Sequence, residues 1–83
     1  MPRKFEVISE IHDIENIAVG DGVRERHRLN RACASGKLTR WRKLKGLAWV
    51  RYQNGAVVWA EVHWFEAEGI ARCEQTVKRE ISR

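Results

Sequence analysis

Hydrophobic and polar positions follow a strand-like pattern most clearly in the second half of the chain. Leu47–Tyr52 and Val57–Phe65 are rich in β-branched and aromatic residues, with Asn54-Gly55 between them. Such residues favour a pleated, half-buried strand. Asn-Gly is the preferred pair for a two-residue type I′ turn, in which both central residues take positive φ. The pattern therefore predicts an antiparallel hairpin across residues 45–66, with Tyr52 opposite Val57, Val50 opposite Trp59 and Ala48 opposite Glu61. In that register Leu47, Trp49, Arg51, Val58, Ala60, Val62 and Trp64 share one face, which packs on the helices. Ala48, Val50, Tyr52, Val57, Trp59, Glu61, His63 and Phe65 share the other.

The first half reads differently. Phe5 and Val7 lie on one side of a short strand over Arg3–Ile8. Ser9 then reads as a helix N-cap, because its hydroxyl can accept from the open N–H groups of a first turn. Ile11, Ile14 and Ala18 follow at spacings of three and four, one face of a helix that ends at Gly20 and Gly22. Asp21 caps a second helix over Val23–Ala34, closed by Ser35-Gly36. Residues 37–45 form a basic connector, Glu66-Ala67-Glu68-Gly69 a turn, and Ala71–Ile81 a last strand. The expectation is one α+β domain over residues 1–83: a short N-terminal strand, two helices, then a three-stranded antiparallel meander, in the order β-α-α-β-β-β.

Composition narrows this further. A chain of 83 residues, 43% hydrophobic and 33% charged, suits a single folded core. No apolar run approaches the roughly 20 residues of a membrane span, and no signal-peptide pattern follows the N-terminus. A cytoplasmic protein without a membrane partner is expected. Cys33 and Cys73 then read as thiols in a reducing compartment. Charge is unevenly spread. Residues 24–51 hold ten cations and only Glu25, a net of +9 against +5 for the whole chain. Such a block attracts polyanions, or else forms a solvated face that keeps the protein in solution.

Within the block, Arg40-Trp41-Arg42-Lys43-Leu44-Lys45 is the strongest candidate nucleic-acid site. Arginine and lysine neutralise phosphates, and Trp41 either is exposed and stacks on an unpaired base or belongs to the core, with the charges around it solvated. Arg24, Arg28 and Arg31 on the second helix would extend it. Glu61 and His63, two apart on one strand, share a face and make an acid–base pair, with Arg51 as a nearby cation. Tyr52, Trp59 and Phe65 on that face form an aromatic platform if exposed, or a second buried layer if a helix covers it. Histidines and cysteines show no paired ligand spacing, so neither a metal nor another cofactor is expected.

Two resemblances bear on function. Trp41-Arg42-Lys43-x-Lys45-Gly46-x-Ala48-x-Val50, with Ala60-Glu61-x-His63-Trp64-Phe65-Glu66 and Gly69-Ile70-x-Arg72, resembles a family of small uncharacterised bacterial proteins. That family implies no particular activity. The β-α-α-β-β-β order, the size, the basic charge and Leu44-x-Gly46 before the hairpin resemble the RelE/ParE toxin superfamily. This second likeness implies a toxin domain, neutralised by an antitoxin, that acts on RNA or the translation machinery. It would use Arg40, Arg42, Lys43 and Lys45 to hold the backbone, with His63, Glu61 and Arg51 as catalytic candidates. Two other expectations use the same basic surface: a non-enzymatic nucleic-acid-binding module, with RNA the favoured ligand, and an interaction domain for an acidic protein.

Overall fold

The computed structural model describes residues 4–81. Strand β1 (Phe5–Val7) and strand β2 (His12–Val19) lead through a 3-10 turn at Gly20–Gly22 into helix α1 (Arg26–Cys33). Strands β3 (Arg42–Tyr52), β4 (Val57–Ala67) and β5 (Ile70–Glu80) follow. All pairings are antiparallel. β3 pairs with β4 and β4 with β5, while β1 and β2 lie end to end along the other edge of β3. The result is a curled half-barrel, with 56% of the described residues in strands and 14% in helix.

This overturns the expected α+β fold of two helices and a meander. Residues 9–19 form no helix. The spacing of Ile11, Ile14 and Ala18 has another origin. β2 carries register shifts between His12 and Glu15 and between Asn16 and Ala18. Each shift adds a residue to a period of two and changes the side on which the next side chains fall, so Ile11 and Ala18 pack in different cores and Ile14 stays exposed. β-Branched side chains favour the strand, and the free edge of β3 supplies its hydrogen bonds. Ser9 caps nothing: its Oγ accepts from the Trp49 backbone N–H at 2.9 Å. The second expected helix survives as α1, shortened to eight residues. The connector is shorter than expected too, because β3 already begins at Arg42.

The hairpin forms, but with its register moved by one residue. Arg51 faces Val57 and Val50 faces Val58. Tyr52 N–H donates to Ala56 O at 2.9 Å across a three-residue loop, Gln53-Asn54-Gly55. Only Gly55 has positive φ, +92°, whereas a type I′ turn requires it at two positions. The Asn54 side-chain oxygen accepts from Ala56 N–H at 3.0 Å, which favours the longer loop. The shift regroups the faces. Ala48, Val50 and Tyr52 now lie with Val58, Ala60, Val62 and Trp64 inside the curl. Leu47, Trp49 and Arg51 lie outside with Val57, Trp59, Glu61 and His63.

Two cores result. The inner one gathers Leu44, Val50, Tyr52, Ala60, Val62 and Trp64, with Phe5, Val7, Ile11 and Val77 packed on it. β2 bends close over β3 here. A Cβ at Gly46 would collide with Ile11 Cγ2 and lie 3.0 Å from His12 O, so the bend requires glycine. The second core lies on the outer face, at the end of the sheet away from the hairpin loop. There Val23, Leu29, Ala34, Trp41, Phe65, Ala67 and Cys73 pack under α1. A disulfide joins Cys33 on α1 to Cys73 on β5, where thiols were expected. The registers of three strand pairs and the helix seat bring these residues together across 40 positions of sequence.

Candidate nucleic-acid interface and the Glu61–His63 cleft

The strand period divides the Arg40–Lys45 cluster. Trp41 is wholly buried, and its indole N–H donates to Asn30 Oδ1 at 2.8 Å. It holds α1 to the sheet and offers no surface for a base. Arg42 and Lys43 point to opposite faces, and each meets a carboxylate: Arg42 Nη2 lies 3.2 Å from Glu66, and Lys43 Nζ 3.6 Å from Glu25. Lys45 Nζ is 3.3 Å from Glu15. Arg51 Nε donates to Glu6 at 3.0 Å, and Arg28 pairs with Glu74. Half of the ten cations in residues 24–51 are thus matched, one by Glu25 within the block and four by acids drawn from other segments. Antiparallel pairing places the acidic β2 and β4 on either side of the basic β3.

The unmatched cations of this block lie around α1 and the connector behind it. Among the described residues of the block, Arg26 donates only to the Asp21 and Val23 carbonyls, and Arg24, Arg31, Lys37 and Arg40 form no ion pair. All four are exposed. Arg24 precedes α1, and Arg31 lies on its outward side with exposed His27 and Arg28. The helix turns Leu29, Asn30 and Cys33 inward, which is why its cations face solvent. Lys37 and Arg40 sit in the connector behind it, with the Arg40 guanidinium against Gly20. The protein spans 39 × 24 × 21 Å, and this cationic surface occupies the end that α1 covers.

Glu61 and His63 do meet. His63 Nε2 lies 2.6 Å from Glu61 Oε2, and Arg79 Nε donates to Glu61 Oε1 at 3.2 Å. Both side chains are largely buried, 16% and 13% exposed. The hydrogen bond from His63 does most to hold the Glu61 carboxyl below the usual carboxylate range. Burial opposes this, while the hydrogen bond and charge of Arg79 assist it. Arg51 is not part of this group. It lies four residues along β3 from Leu47, the partner of Glu61, roughly 13 Å at strand rise.

Beside the pair is a cleft of about 180 Å³ lined by Asp13, Glu15, Lys45, Gly46, Leu47, Glu61 and Arg79. Its fixed charges are three carboxylates against two cations, so a phosphodiester entering it meets net repulsion. Asp13, Glu15 and Arg79 went unrecognised in the sequence because the bulges of β2 and β5 set their facing. Beyond the cleft, Trp49 and Trp59 meet edge to face at 5.2 Å, with His12 5.9 Å from Trp59. The expected platform of Tyr52, Trp59 and Phe65 is dispersed. Tyr52 turns into the inner core and donates to Glu80 at 2.8 Å, and Phe65 lies under α1. Among the described residues no group of His, Cys, Asp or Glu gathers to hold a metal ion, and no helix is long and apolar enough to cross a membrane.

Compared with protein-family models, curated proteins and solved structures, the chain matches none.

Proposed function

We propose that the protein is a non-enzymatic nucleic-acid-binding module that grips the phosphate backbone with the cationic surface around α1. The observation that carries this is the segregation of charge. Arg24, Arg31, Lys37 and Arg40 stay free of ion pairs among the described residues, while the cations along β3, Arg42, Lys43, Lys45 and Arg51, are matched. Unmatched, solvated cations can exchange their counterions for phosphates, which is the main source of affinity for nucleic acids. The toxin-type ribonuclease reading receives less support. Its βααβββ order is not the order of this chain, and the cleft beside His63 repels phosphate. With Nε2 engaged by Glu61, that ring nitrogen is closed to a substrate.

Four phosphate contacts at about −0.7 to −0.9 each give a slope near −3 in log K against log salt. Affinity for a single-stranded RNA should then fall about a hundredfold between ~50 and ~200 mM salt. Charge reversal at Arg24, Arg31 and Arg40 should abolish binding alike for every base sequence, since phosphates carry no base identity. The same reversal at Arg42 and Lys43 should leave more of it. No binding at ~50 mM salt, or equal losses in the two variants, would refute the assignment.

A further inference from the structure

We infer that the Cys33–Cys73 crosslink is a reversible thiol–disulfide latch that holds α1, and the cationic surface with it, on the end of the sheet. The effect on ligand binding rests on the nucleic-acid function proposed above; the latch itself does not.

Three features of the structure converge on it. First, α1 is eight residues long and buries only Leu29 and Asn30 fully, so it needs an external tie to persist. Second, Cys73 stands between two non-glycine residues in the left-handed region, Arg72 at φ 51° and Glu74 at φ 51°. Side chains with a Cβ avoid that conformation. Here it turns Cys73 under the helix, opposite Phe65, where the register of β4 and β5 is broken on either side. Regular pairing would remove both outliers and withdraw Cys73 from Cys33. Third, the two cysteines differ in access. Cys73 is buried, whereas Cys33 is only partly covered, on a helix surrounded by cations. An anionic thiol such as glutathione is drawn to that surface.

The exchange balances with thiols as reductant. A thiolate attacks Cys33 Sγ, the Cys33–Cys73 bond breaks, and Cys73 leaves as a thiolate that takes a proton. A second thiol attacks the outer sulfur of the mixed disulfide, freeing Cys33 as a thiol and leaving the external pair as a disulfide. Two electrons pass to the protein. A low-molecular-weight disulfide drives the reverse. With no third cysteine in the chain, exchange within it has no wrong product.

Amide hydrogen exchange on the oxidised protein and on the protein equilibrated in glutathione buffer tests this. On reduction, residues 26–34 should exchange at least about tenfold faster, with the sheet retained by far-UV circular dichroism. Cys33→Ser/Cys73→Ser and Cys33→Ala/Cys73→Ala should both reproduce the reduced state without reductant. RNA binding should fall to the level of the charge-reversed variant. Equal exchange in the two states overturns the latch. So does loss of the sheet on reduction, which would make the crosslink a support of the whole fold. So does a disulfide that glutathione reduces only in the denatured chain. An oxidised protein that ignores RNA refutes the proposed function, while α1 exchange still decides the latch.

Discussion

Trp41 and Asn30 form the most consequential contact of single residues. The buried indole N–H has its partner in a buried amide. Asn30→Ala should cost about 1–3 kcal/mol by orphaning that donor. Trp41→Phe should cost less in the Asn30→Ala background than alone, which a double-mutant cycle by urea denaturation will read. Sequence could not reveal this, because a tryptophan among arginines looks alike whether it meets a base or an amide eleven residues earlier. The Glu61–His63 pair was legible, since the i, i+2 rule of a strand holds locally whatever the register. Glu61 adds a pH dependence. A carboxyl lowered in the folded state stabilises the fold above its unfolded pKa, and that contribution is lost as pH falls through the folded value. Thermal midpoints should therefore drop below the ordinary glutamate range, and Glu61→Gln should flatten that drop.

Among the elements, hairpin and edge strand separate what local pattern can say from what it cannot. Two apolar runs around Asn54-Gly55 announced β3 and β4. One side-chain hydrogen bond from Asn54 chose between loops of two and three residues, and that choice exchanged the partners of every face. Gly55→Val should cost about 1–2 kcal/mol through its positive φ alone, since a Cβ there meets nothing within 4 Å. Gly46→Ala fails for a different reason, a collision with β2. It should cost about 1–3 kcal/mol and expose the β1–β2 amides to exchange before those of β4. Uniform exposure would mean that β2 does not depend on the close approach at Gly46. β2 itself was hidden, because bulges leave no trace in composition and its isoleucines keep a helical spacing.

On the scale of the whole molecule, charge matters through where folding places it. A net +9 over 28 consecutive residues suggested one continuous basic surface. The sheet instead lays β2, β3 and β4 side by side, so carboxylates neutralise the strand and leave the helix end cationic. Alanine at Arg42 or Lys43 should shift stability by under ~1 kcal/mol, as exposed pairs do. Alanine at Arg24 or Arg31 should leave stability within ~0.5 kcal/mol but shorten retention on heparin. Retention reduced equally by both pairs would place the binding charge on the strand.

The position of α1 in the chain also sets an order of events during synthesis. β1 and β2 leave the ribosome before β3, which is their partner among the described strands and from which α1 and the connector separate them. β3 and β4, by contrast, close across three residues, and β5 follows across two. Local contacts form before distant ones. The nascent amino-terminal segment, with Ile14 still 54% exposed in the finished protein, must wait without a sheet until Tyr52 has emerged. Of the described strands, those that precede α1 thus pair only after β3 has followed them.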